Sequence, residues 1–173
     1  LTIKDVEKKK SEIVNALFQA VPSGIGKGTK MKIAKNDMIE ILNQGAEWAI
    51  GEGYGRKEDI DKTEEGGRMK DADASMVSEK AIERGLGQFG SLGSGNHFLE
   101  MHYVDKLFDE EVAQVFKLEK GQITFMIHCG SRGIGHQIAS DYIRFMEHAY
   151  GYQNLPDREL INAPINSELG KKY

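Results

Sequence analysis

The sequence predicts a mixed fold, α/β or α+β, and three observations predict it. Apolar residues recur at helical spacing in separate stretches, two intervening runs have strand-like composition, and glycine clusters mark the junctions between them. No internal repeat is visible. With 173 residues, 39% of them hydrophobic, the chain can bury one moderate core, which fits one domain or a piece of a larger one.

From Thr2 to about Val21, the residues Val6, Ile13, Val14, Leu17, Phe18 and Val21 share one helical stripe. Thr2 or Asp5 can cap its start, and the stripe is expected to be buried while Lys8, Lys9 and Lys10 stay in water. Pro22 ends this helix, and Pro22 to Gly28 reads as a loop whose glycines permit close approach to an anion. A second helix is expected from Asn36 or Asp37 to Glu52, with Met38, Ile41, Leu42, Ala46, Ala49 and Ile50 facing the core. Gly53 offers its C-terminal cap, and Trp48 packs beside the stripe.

Residues 54–74 are polar and broken by Gly55, Gly66 and Gly67, so they read as a loop with one helical turn. A short helix follows from Ser75 to Arg84. Beyond the glycine-rich run Gly85–Gly95, His97–Val104 reads as a strand and Gln122–Ile127 as a buried one, with Glu110–Leu118 helical between them. The last helix spans Gly135–Tyr150, with Ile138, Tyr142, Phe145, Met146 and Ala149 on one face and Gly151 at its end.

The formal charge of −4 argues against a module that binds nucleic acid through overall positive charge, so an RNA would have to meet a local basic patch. One cysteine, Cys129, no charged-then-apolar leader, and no apolar run near the roughly 20 residues a membrane helix needs predict a soluble protein of a reducing, cytoplasmic compartment. Leu1 in place of an initiator methionine, and a loop-like close at Tyr173, predict an internal piece of a longer protein.

Two stretches stand apart from ordinary core sequence: Gly93-Ser-Gly-Asn96-His97-Phe98-Leu99-Glu100 and His128-Cys-Gly-Ser-Arg132-Gly-Ile-Gly135-His136. Each sets a histidine at a strand end beside glycines, which let backbone amides approach a ligand. A helix beginning near Ile134 would aim free amides and a partial positive charge at an anion such as phosphate. Arg132 in that turn suits bidentate contact with phosphate oxygens, or else a surface ion pair. His97 and His128 lie too far apart for a local metal motif, so only a fold that joins two strand ends makes them joint ligands; otherwise each is a hydrogen-bonded structural residue. Asn96 can hold a phosphate, and Glu100 can accept from the two donors that guanine presents and adenine lacks, or simply face solvent. Cys129, beside His128, points to the opposite face of a strand, so the two do not form a nucleophilic pair; a small buried residue is the expectation. His102, His136 and His148 have the ordinary surface role, although His136 is near enough to touch the same anion.

The run Gly130–Gly135 also looks like the nucleotide turn of short-chain dehydrogenases, which would imply a nicotinamide cofactor. That turn begins one glycine earlier, where this chain has Cys129, and no strand ending in an acid follows about 20 residues on. Tyr103 and Lys106 are separated by two residues where that family has three.

The same residues closely resemble the two central motifs of RtcB-type RNA ligases. Further likenesses run along almost the whole chain: Leu17–Gly26, Gly45-Ala-Glu-Trp-Ala49, Glu64-Glu-Gly-Gly-Arg68, Pro156–Leu160 and Ala163-Pro164. The resemblance implies that residues 1–173 form a single partial domain, the central segment of a ligase catalytic domain with an incomplete core. It implies a GTP- and manganese-dependent enzyme that joins RNA ends bearing a 3′-phosphate or 2′,3′-cyclic phosphate to a 5′-hydroxyl end through a guanylyl-histidine. Transfer RNA halves are among its substrates, archease is a possible activator, and no membrane is involved. By position, His97 and His128 would ligate the two Mn2+ ions, Asn96, His97, Phe98, Leu99 and Glu100 would line the GTP site, and Arg132 would contact RNA phosphate. The family's aspartate and cysteine ligands would precede Leu1, and a further histidine ligand, the guanylylated histidine and a lysine would follow Tyr173. The segment by itself is therefore expected to be inactive, to bind manganese weakly and to associate through exposed core surface. A non-catalytic RNA-binding relative that keeps the motifs is the remaining alternative.

Overall fold

A computed structural model describes residues 3–24, 29 and 31–173. The chain divides into two compact units, one formed by Leu1–Met31 with Gly90–Gly130 and the other by Lys32–Phe89 with Ser131–Tyr173.

The first unit opens with α1 (Ile3–Lys8) and α2 (Lys10–Ala20). The sequence predicts one helix here, but the backbone leaves helical geometry at Lys9 (φ −115°, ψ 14°), and nothing in the local sequence demands the break. Val6 is buried, whereas the expected stripe on α2 is not: Val14 and Phe18 are more than half exposed. Thr2 and the part of the predicted loop from Ile25 to Gly28 lie outside the described residues.

Strands β1 (Phe98–Tyr103) and β2 (Ile123–His128) pair antiparallel in the register Phe98↔His128 through Tyr103↔Ile123. Val104 and Gln122 extend the ladder by one further bond, the Val104 N–H donating to the Gln122 carbonyl at 2.9 Å. Between the strands, Asp109 caps α7 (Glu110–Val115) by accepting the Val112 N–H. The burial expected of β2 is absent. Phe125, Met126 and Ile127 are 57%, 53% and 66% exposed, because among the described residues this sheet has two strands and nothing covers that stretch.

In the second unit, Asp37 reaches back to accept the Ala34 N–H at 2.8 Å and starts α3 (Lys35–Gln44), slightly earlier than the sequence suggests. The predicted second helix is two, since Gly45 (φ 60°, ψ −134°) separates α3 from α4 (Ala46–Gly51). A Cβ at residue 45 would lie 2.1 Å from the Gly67 carbonyl oxygen, and one at Gly67 would lie 2.6 Å from Ala46 Cβ. The Glu64–Gly67 turn thus presses against the helix junction, and Arg68 lies 3.8 Å from Glu47. Gly53 caps α4 as expected: its N–H reaches Ile50 while the Tyr54 N–H reaches Ala49, closing the left-handed end of the helix. Trp48 is buried, its ring edge-on to Phe89 at 6.2 Å.

After α5 (Lys57–Ile60) and two short 3-10 turns, Ser78 caps α6 (Glu79–Leu86) through the Ala81 N–H. Helix α8 (Arg132–Tyr150) packs on α6, and Met38, Ala81, Ile82 and Ile134 are the buried centre of this unit, with Ile33, Leu42 and Ile138 around them. Gly85 makes that contact close, since a Cβ there would meet Ile134 at 3.1 Å. On α8, Tyr142 and Met146 are buried, but Phe145 and Ala149, expected on the same face, are exposed. Arg158 forks onto Glu147 of α8, and α9 (Glu168–Lys172) closes the described chain.

The fold is mixed, a small antiparallel sheet among helices. Among the described residues, no helix is long and apolar enough to cross a membrane.

Candidate functional site

Antiparallel pairing does to the two histidines what spacing alone could not. Phe98 stands opposite His128, so His97, one residue earlier, reaches the same end of the sheet as the last residue of β2. The two imidazoles lie with ring centroids 5.9 Å apart at 46°, and the Phe98 ring packs edge-on to His128 at 5.4 Å. Gly130 passes beside the pair, and a Cβ there would sit 3.5 Å from His97 Nε2, an ordinary contact distance.

The glycine turn that leads into β1 is held from behind. Leu92 donates its N–H to the Pro22 carbonyl at 2.8 Å, and Gly24 donates to the Gly93 carbonyl at 2.7 Å. The loop that the sequence marks after Pro22 is therefore bonded to the turn before Asn96 and His97. Asn96 is exposed, and His97, Phe98 and Leu99 are half-buried.

Glu100 carries a partner that the sequence reading passed over. Its carboxylate lies 2.9 Å from His102 Nε2, and the signal was present, because residues two apart on a strand share a face. That contact uses one oxygen, and among the described residues the other carries no hydrogen bond. Between α2 and β1 lies a groove of about 460 Å³ whose walls include Val14, Phe18 and Leu99, with Glu100 and His102 also lining it. The stripe of α2 that fails to bury itself thus forms one wall of a cavity.

Cys129 is exposed, contrary to the expectation of a small buried residue, and lies one residue beyond the end of β2 at His128. Its thiol donates to the Leu92 carbonyl at 3.0 Å. Among the described residues, no three His, Cys, Asp or Glu side chains gather as a metal site would require, so the histidine pair supplies two nitrogen donors and no third.

Arg132 belongs to the second unit and is the first residue of α8, which begins earlier than expected. Its φ of 55° is left-handed, a conformation that costs a side-chain-bearing residue about 1–3 kcal/mol and persists only where its surroundings fix it. One amide expected to be open to an anion is occupied: the Gly133 N–H donates to Gln88 Oε1 at 2.9 Å. Gly135 accommodates Ser131, whose Oγ would lie 1.8 Å from a Cβ there. His136 is exposed.

The dehydrogenase alternative finds no support in this geometry. A dinucleotide turn rests on parallel strands joined by a crossover helix, and β1 and β2 run antiparallel.

A family profile described as tRNA-splicing ligase RtcB matches residues 1–173. Among curated relatives carrying that name, the protein of Methanocaldococcus jannaschii is 52% identical over 176 residues, covering all of this chain and 18% of the relative. Those of Methanococcus maripaludis and Thermococcus kodakarensis are 52% and 49% identical over 175 and 176 residues, and this chain covers 36% of each. The chain therefore spans between 18% and 36% of the length of these relatives. With the profile matched from end to end and about half of the residues identical to those of proteins named for the activity, this chain belongs to the RtcB family of tRNA-splicing ligases.

Proposed function

We propose that this chain is the central part of a GTP- and manganese-dependent RNA ligase that joins 3′-phosphate or 2′,3′-cyclic phosphate ends to 5′-hydroxyl ends, transfer RNA halves included. The observation that carries the reading is the histidine pair at the end of the sheet, its rings 5.9 Å apart. His97 and His128 would hold two Mn2+ ions as nitrogen ligands, with the remaining donors supplied by parts of the protein outside this chain. Bound manganese supplies charge neutralisation at phosphate oxygens.

The chain's own residues do the rest of what is proposed for it. Phe98 packs against His128 and limits its rotation. Asn96 to Glu100 line the GTP site, where the Glu100 oxygen not bonded to His102 accepts from the guanine ring and exocyclic nitrogens. Arg132 offers its guanidinium fork to an RNA phosphate and compensates locally for the acidic balance of the whole chain. The histidine that becomes guanylylated lies outside these residues, and so the segment alone is inactive.

The test is RNA joining by the full-length protein with manganese and GTP, in the presence and absence of an activator such as archease. His97→Ala and His128→Ala are each expected to lower joining by more than about 100-fold, since even groups that merely support a metal ligand are worth about 10- to 100-fold. A full-length protein that neither joins RNA nor becomes guanylylated would overturn the proposal in favour of a non-catalytic RNA-binding relative.

A further inference from the structure

Arg132 holds a left-handed backbone angle at the first residue of a long helix, and something must fix it there. The next amide supplies the answer. The Gly133 N–H is gripped by Gln88 Oε1 at 2.9 Å, and a Cβ at 133 would lie 3.1 Å from that oxygen and 3.3 Å from the Arg84 carbonyl, so glycine is what admits Gln88 to the backbone.

Gln88 follows α6, and a separate polar ladder runs along the seam of α6 and α8. Arg84 Nη1 donates to Gln137 Oε1 at 2.8 Å, Gln137 Nε2 donates to Asp141 Oδ1 at 2.7 Å, and Asp141 Oδ2 accepts from Ser78 Oγ at 2.7 Å. Gln137 is 2% exposed, so its bonds are made away from water, where a satisfied network selects one arrangement of the elements that share it. Apolar packing alone lets two helices slide by small amounts; this ladder fixes α8 along its axis, and Gln88 fixes its first turn.

From this we infer that Gln88 is a positioning residue for Arg132, setting the direction in which the guanidinium meets an RNA phosphate. The inference rests on the reading of Arg132 as a phosphate contact.

The test uses the full-length protein with four variants: Gln88→Met, which keeps the length and removes the acceptor, Gln88→Glu, which keeps an acceptor, Arg132→Ala, and the Gln88→Met/Arg132→Ala double. KM for RNA, kcat of joining, guanylylation by GTP and thermal midpoint are measured for each. Gln88→Met is expected to raise KM for RNA about fivefold, the net worth of one ordinary hydrogen bond, while guanylylation moves far less. Gln88→Glu should restore most of that loss, and the double variant should be no worse than Arg132→Ala. Gln88→Met lowering guanylylation and joining in step with the thermal midpoint would mean a structural role only. Effects that multiply in the double variant, or a failure of Gln88→Glu to rescue, would equally overturn the inference. If Arg132→Ala itself leaves KM for RNA unchanged, the phosphate-contact reading falls and this inference falls with it.

Discussion

Asp141 on α8 accepts hydrogen bonds from two side chains, Ser78 and Gln137. Its hydrogen bond from Ser78 holds it below the ordinary carboxylate range; burial opposes this as the next-largest effect, and the Gln137 bond and the nearby Arg144 and Lys80 charges add to the lowering. A carboxylate depressed in the folded state stabilises the fold above its unfolded value and loses that contribution as pH falls through the folded one. Asp141→Asn should therefore lower the urea midpoint at neutral pH, and the gap from the unmodified chain should close below about pH 4. A gap that persists at pH 2 would assign the effect to shape and not to charge. Individual residues were unevenly legible in the sequence. His97, His128 and Glu100 were marked by the glycines and strand ends around them, but their mutual placement was not, because it depends on a pairing register that no local pattern encodes. Cys129 was misread for a related reason: alternation predicts the face of a residue inside a strand, and Cys129 is just beyond its end.

Helices were found by their period and misjudged at their interruptions. Gly45 divides what reads as one continuous amphipathic run, and the cause sits far along the chain at Gly67, whose carbonyl occupies the place a side chain would need. Two motifs that appear separate in sequence, Gly45–Ala49 and Glu64–Arg68, are thus halves of one contact. Gly45→Ala must strain a left-handed backbone and displace that carbonyl together, and a loss of about 3 kcal/mol or more is expected in chemical denaturation. Gly51→Ala is the control: it lies in α4, and its Cβ would meet nothing within 4 Å. It should be neutral or stabilise by up to about 1 kcal/mol, through a less flexible unfolded chain. A Gly45→Ala change as well tolerated as Gly51→Ala would show that the Gly67 contact does not govern this junction. Caps were the better-predicted boundary, since Gly53 and Gly151 both end their helices with positive φ.

Taken as one chain, the protein leaves a good deal of apolar surface in water. Phe108, Val115 and Phe116 around α7 are 90%, 79% and 69% exposed, and the middle of β2 adds three more large side chains. The incomplete core follows from the family resemblance alone; the Ile, Thr, Phe and Met content of β2 argues for burial, which composition can request but only a partner surface can provide. The isolated 173-residue chain is expected to associate at micromolar concentration, eluting well above its 19.3 kDa mass, with association strengthened by sulfate. Ile127→Lys should shift it towards monomer, and a monodisperse monomer from the unmodified chain at high concentration would refute this. The pairing of β1 with β2 also says where this chain can tolerate change over generations. Residues 105–120 form a tether between the paired ends of the strands, and lengthening such a tether costs little, with each doubling adding only about 0.6 kcal/mol. A single residue inserted within either strand is another matter: from that point on, every side chain turns to the other face, and the paired histidines separate. Drift in length is thus free to accumulate around α7, while the strands keep count for the site at their end.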